Sequence, residues 1–104
     1  QCINTGGEKV FTEEVEAAIK RHADVEDCLV VGLPDERLGN PVVAVYSQKA
    51  HTAAIGEDGL REHVRTQLAS YKAPKQSILV DVVQRAPNGK ADYKWAKATA
   101  EMHQ

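Results

Sequence analysis

Two short turns hold the residues whose types and spacing could do chemistry. Pro87-Asn88-Gly89-Lys90 is a tight turn that delivers a lysine at the start of a helix-forming stretch. A lysine presented in this way projects away from the body of a domain, where its charge can enter a neighbouring anionic site and be withdrawn again. Thr5-Gly6-Gly7-Glu8-Lys9 places two glycines side by side, which lets a backbone pass very close to another molecule. Taken separately, the first is a turn with a solvated lysine on its exit and the second an ordinary glycine turn.

Other chemistries lack their residues. His22, His51, His63 and His103 show neither HExxH nor paired Cys/His spacing, so no metal site is predicted. No nucleophile-elbow pattern surrounds Ser47, Ser70 or Ser77. Gly89-Lys90 fails as a phosphate loop, because Gln84 stands for the first glycine of GxxxxGK and Ala91 for the hydroxyl residue. Cys2 and Cys28 form no CxxC pair and read as reduced thiols of a cytoplasmic protein, Cys28 as a small buried hydrophobe. The net charge of -2 argues against a nucleic-acid partner, and no apolar run is long enough to cross a bilayer. The charge is nevertheless uneven. Residues 1–70 carry 7 basic and 12 acidic side chains, residues 71–104 carry 6 and 3, so the C-terminal end could face an anionic ligand such as a nucleotide.

Four motifs in order carry more than either turn alone. Ile3 to Glu16 holds the glycine pair and a helix start. Val25 to Gly39 reads V-x-D-C-L-V-V-G-x-P-D-E-R-x-G. Tyr71-Lys72-Ala73-Pro74-Lys75 follows, and Pro87-Asn88-Gly89-Lys90 closes the series. Together these resemble the C-terminal domain of the adenylate-forming (AMP-binding) enzyme superfamily, and most of all the fatty-acyl-CoA synthetases. The likeness runs from Ile3 to about Trp95. Two positions depart from the pattern: Thr12 stands where proline is common, and Asn40 where an acid or glutamine is frequent.

The resemblance implies a mobile lid, residues 1–104, of an ATP-dependent acyl-CoA ligase whose partner is its own large N-terminal adenylation domain. Such enzymes join a carboxylic acid, here a fatty acid, to ATP, and then pass the acyl group to coenzyme A. Lys90 would be the catalytic lysine of adenylation. At about 4 Å from the α-phosphate its charge contributes roughly 4 kcal/mol, or about a thousandfold in rate. After rotation, Gly6, Gly7, Glu8 and Lys9 would line the path of coenzyme A. Binding ATP with Mg²⁺ and choosing the acid would fall to the large domain, so the fragment alone is expected to be inactive. The family's hinge residue would lie just before Gln1. The competing reading is a free-standing interaction module of the same fold that binds a nucleotide-containing ligand.

The elements that must position these turns follow from periodicity. Thr12 can cap a helix whose face is Val15, Ala18, Ile19 and His22, with Glu13 and Glu14 at its positive end. Cys28–Leu33 and Pro41–Ser47 are apolar β-type runs around the turn-rich segment 34–40, and are expected to form an antiparallel hairpin. Gly59 to Leu68 has helical spacing, Ala73-Pro74 ends it, and Ser77 to Val83 reads as a third strand. Ala91 to Met102 is rich in helix formers. With 104 residues, 42% of them hydrophobic, there is one core. The predicted fold is α+β, a small three-stranded sheet covered by about three helices.

Overall fold

The computed structural model describes residues 1–34 and 39–104. The Asp35-Glu36-Arg37-Leu38 portion of the second motif lies outside the described residues. The chain opens with a small hairpin, β1 (Cys2–Asn4) against β2 (Lys9–Phe11), and runs directly into helix α1 (Thr12–Lys20). Strands β3 (Val25–Gly32) and β4 (Val42–Gln48) follow, then α2 (Gly56–Arg65), a 3₁₀ turn at Ser70–Lys72, β5 (Gln76–Leu79) and α3 (Tyr93–Met102).

The main sheet has the order β3-β4-β5. β3 and β4 form the expected antiparallel hairpin, with Cys28 opposite Tyr46 and Val30 opposite Ala44. β5 pairs with β4 in parallel, Ile78 beside Val45. That orientation needs a crossover, and the segment carrying α2 supplies it.

Both faces of this sheet are covered, which is why β3 and β4 read as nearly unbroken apolar runs. Cys28, Val30, Ala44 and Tyr46 point to one side, against Val15 and Ile19 of α1 and Leu60 and Val64 of α2. Leu29, Val31, Val43, Val45 and Ile78 point to the other, against Ala96 and Ala100 of α3. Small residues on α3 let its axis lie close to the sheet.

Several expectations are corrected. Thr12 does not cap α1: Phe11 occupies the cap position without a side-chain bond, and Thr12, fully buried inside the first turn, donates to Glu13 Oε1. The Gly6-Gly7 turn is the tip of a true hairpin, whose three-residue strands are too short to show a period. α2 ends at Arg65 rather than Leu68, and β5 stops at Leu79; Val80 N–H still donates to Tyr46 O at 2.8 Å, and the chain leaves the sheet after it. His22 lies past the end of α1, its ring edge-on to His63 at 5.0 Å. The cysteines stand as expected: Cys2 and Cys28 are both free, and Cys28 is buried.

Candidate functional site

The glycine pair sits where the β1–β2 hairpin turns. Thr5 N–H donates to Glu8 O at 2.8 Å, and Gly7 N–H donates to Asn4 Oδ1 at 3.3 Å. Gly6 and Gly7 have φ of 71° and 109°, a left-handed backbone that side chains strongly disfavour. A Cβ on Gly7 would meet nothing within 4 Å, so the tip presents bare backbone outward, flanked by the exposed side chains of Glu8 and Lys9. The inner side of the turn is braced. Gly39 packs directly on Gly6, and Asn40 N–H donates to Asn4 O at 2.8 Å.

Beside this turn lies a groove of about 260 Å³ lined by Thr5, Gly39, Arg61, Arg65, Tyr71 and Lys75, among others. Arg61 is committed to structure: Nε donates to Pro74 O at 3.1 Å and Nη2 to Lys75 O at 2.9 Å, which holds the third motif against α2. Arg65 pairs with Glu62 on the surface at 2.6 Å. Lys75 is exposed and takes part in no ion pair among the described residues. The groove therefore offers positive charge next to the glycine backbone. Sequence reasoning used Tyr71 only as a motif letter, counted Lys75 in the basic C-terminal end, and passed over Arg61 and Arg65, whose four-residue spacing puts both on one face of α2.

Lys90 belongs to a second hairpin turn. Ala86 N–H donates to Lys90 O at 2.9 Å, Gly89 N–H to Ala86 O at 2.8 Å, and Lys90 N–H to Asn88 Oδ1 at 3.1 Å. Gly89, with φ of 83°, supplies the left-handed residue that closes it. The Lys90 side chain is exposed and engaged in none of the ion pairs among the described residues.

This turn is fastened to the sheet on both flanks. On one side Arg85 grips Asp27 of β3 with two bonds of 2.8 Å. Burial opposes ionisation of Asp27, but the Arg85 fork and the Cys28 N–H prevail and hold its carboxyl below the usual range. On the other side Asp92 caps α3 by accepting from Trp95 N–H at 3.0 Å, and Tyr93 O–H donates to Glu16 Oε2 at 2.8 Å. The same Glu16 oxygen accepts Val30 N–H at 2.9 Å, covering a donor on the free edge of β3. Burial raises the Glu16 pKa, with these two bonds partly offsetting it. Burial also pushes Tyr93 up to about 12; Thr12 opposes that rise and Glu16 adds to it.

The structure thus groups Gly6, Gly7, Glu8 and Lys9 and places Lys90 elsewhere. The glycine hairpin rests on the far end of β3, where Gly32 meets Ile3, while the Lys90 turn is tied to Asp27 near its start. Those anchors are five residues apart, roughly 16 Å at the strand rise. Among the described residues no group of three or more His, Cys, Asp or Glu side chains could hold a metal ion, and no helix is long and apolar enough to cross a membrane.

The sequence and fold are shared with known proteins. A medium/long-chain-fatty-acid–CoA/3-oxocholest-4-en-26-oate–CoA ligase of Mycolicibacterium smegmatis is 52% identical over 95% of this chain and 18% of the ligase. The medium-chain acyl-CoA ligase Mig of Mycobacterium avium is 48% identical over the same shares. Among solved structures, a Mycobacterium tuberculosis fatty acyl CoA synthetase superposes with a TM-score of 0.86 at 30% identity, over 98% of this chain and 20% of the other. A Brucella canis acyl-CoA synthetase gives 0.89 at 27% identity, over 100% and 20%. The chain spans about a fifth of the length of these relatives. The profile of the AMP-binding enzyme C-terminal domain matches residues 14–90, and the chain belongs to that family.

Proposed function

We propose that residues 1–104 act as the lid of an ATP-dependent acyl-CoA ligase, serving its two half-reactions with two different turns. In adenylation, Lys90 enters the site of the large N-terminal domain. There it neutralises charge on the α-phosphate as the carboxylate attacks and pyrophosphate departs. In thioester formation, Gly6, Gly7, Glu8 and Lys9 take its place. The bare glycine backbone lines the narrow pantetheine path, and the adjoining groove with Arg65 and Lys75 receives the phosphates of coenzyme A. A fatty acid is the favoured substrate, since the relatives named above carry that activity in their names. ATP and its Mg²⁺ would be held by the large domain. The setting we infer is cytoplasmic.

The observation that carries this reading is the separation of Lys90 from the glycine pair along β3. One rigid body bearing both cannot offer them to the same reacting atoms at once, but a rotation between the half-reactions can offer each in turn. The test is acid-dependent exchange of labelled pyrophosphate into ATP by the full-length ligase. Lys90→Ala is expected to abolish exchange while acyl transfer from preformed acyl-adenylate persists. Equal loss in both half-reactions, or normal exchange, would overturn the assignment.

A further inference from the structure

Arg85 does more than close an ion pair. Its Nε donates to Asp27 Oδ2 and its Nη2 to Asp27 Oδ1, both at 2.8 Å, while its Nη1 reaches Gly89 O at 3.4 Å. The carbonyl of Gly89 belongs to the peptide that enters Lys90. A single planar guanidinium therefore spans the mouth of the Lys90 turn and fixes it to the sheet. Arg85 also pairs across the turn with Ala91, so the residues on either side of Lys90 are both referred to its position. Asp27 is itself well placed to serve as an anchor. It follows directly on the register shift between Val25 and Asp27, an irregularity of the kind that re-aims a strand side chain. Its own Oδ1 also accepts Cys28 N–H at 2.9 Å, which orients the carboxylate toward the fork.

We propose that Arg85 and Asp27 are positioning residues for adenylation: the Asp27–Arg85–Gly89 chain sets where the Lys90 ammonium stands when the lid is closed. The inference rests on the lysine role proposed above. Beyond the turn, Asp92 and Tyr93 secure its exit through α3 and Glu16, but among the described residues the turn itself has little besides Arg85 to tie it to the sheet. Pro87, Asn88, Gly89 and Lys90 are all exposed, a Cβ on Gly89 would meet nothing within 4 Å, and the other bonds of the turn are internal to it. Internal bonds preserve its shape but not its placement on the domain. Stiffness matters here because a long flexible lysine is useful only if the backbone delivering it arrives in the same place each time.

The experiment uses the full-length ligase with Arg85→Ala, Arg85→Lys and Lys90→Ala, following pyrophosphate exchange, acyl transfer from preformed acyl-adenylate, and thermal unfolding. Arg85→Ala is expected to lower the rate constant of exchange by about 100-fold, the scale of a misplacement near 1 Å, while transfer changes by less than about twofold. Arg85→Lys keeps the charge opposite Asp27 but loses the planar fork that reaches Gly89 O as well, so it should recover only part of the exchange. If Arg85→Ala lowered both half-reactions in proportion to a loss of folded protein, the pair would be merely structural and the proposal overturned. The proposal would equally fall if exchange survived in Arg85→Ala while Lys90→Ala abolished it. Exchange surviving in Lys90→Ala would instead remove the lysine role beneath it.

Discussion

A Cβ on Gly39 would stand 2.3 Å from the backbone nitrogen of Gly6 and 2.9 Å from the carbonyl oxygen of Asn4. The glycine-pair turn is thus seated on a second glycine 33 positions along the chain, which links the first motif to the end of the second.

Gly39 and Gly89 make a controlled comparison, because their φ angles are nearly equal at 84° and 83°. A Gly89→Ala change meets open space and should cost only the backbone term, about 1 kcal/mol. Gly39→Ala adds a collision with backbone that cannot swing aside, so it should cost about 3 kcal/mol or push the hairpin off its seat. Denaturant unfolding of the two variants checks the order. In the full-length ligase, Gly39→Ala should slow acyl transfer more than pyrophosphate exchange, since the hairpin is assigned to the thiol step.

The groove beside that hairpin leads to a different signature. Arg65 and Lys75 lie at its surface, so their attraction for a phosphate is screened and each is worth about 1 kcal/mol. Arg65→Glu and Lys75→Glu should each raise the KM for coenzyme A by about fivefold or more, with the effect shrinking as salt is added. The KM for ATP in pyrophosphate exchange should not move. Arg61→Ala is expected to behave otherwise and lower stability, because Arg61 holds the carbonyls of Pro74 and Lys75.

Much of this organisation was legible in the sequence. The β3 and β4 runs are dense in β-branched residues, and α1 shows its apolar face at helical spacing, so both hairpin and helix could be placed within a few residues. The turns at Gly6-Gly7 and Gly89-Lys90 were visible because left-handed backbone demands glycine. The hidden parts depend on distant partners. The parallel pairing of β5 leaves no mark on β5 itself, the seat of Gly6 on Gly39 joins two turns that each look ordinary, and the groove exists only once α2 meets the Tyr71–Lys75 segment. Glu16 looked like one more acid on an acidic helix. Its burial at the edge of β3 follows from the docking of α3, 77 residues away.

That docking is open to a stability test at Glu16. Its carboxylate accepts Val30 N–H and Tyr93 O–H, so Glu16→Ala would leave the Val30 N–H without its acceptor and Tyr93 O–H with only the longer contact to Thr12 Oγ1 at 3.4 Å. The loss should be about 2 kcal/mol, net of the relief from removing a partly desolvated charge. Amide hydrogen exchange at Val30 should accelerate in the variant, because the Glu16 carboxylate is the acceptor that holds this N–H. An unchanged exchange rate there would show that water already serves the N–H as well as Glu16 does.

Alkaline titration isolates the Tyr93 end of the same contact. Its pKa rises from the ordinary value of 10.0 to about 12 on folding, through burial first. Between those values the unfolded chain has lost the phenol proton and the folded one still holds it, so the folded state binds more protons. Stability must then fall as the pH climbs. The contribution is fully present below about 10 and gone above about 12, amounting to roughly 2 to 3 kcal/mol across the window. Part of that should be discounted, because Tyr93 is only half-buried. Tyr93→Phe removes the titrating group. Its unfolding midpoint should lie below that of the parent at neutral pH, for want of the bond to Glu16, and should decline less steeply above pH 10. Parallel curves for the two proteins would mean that Tyr93 ionises in the folded state as freely as in the unfolded one, and that the link between α3 and Glu16 loosens before the domain does.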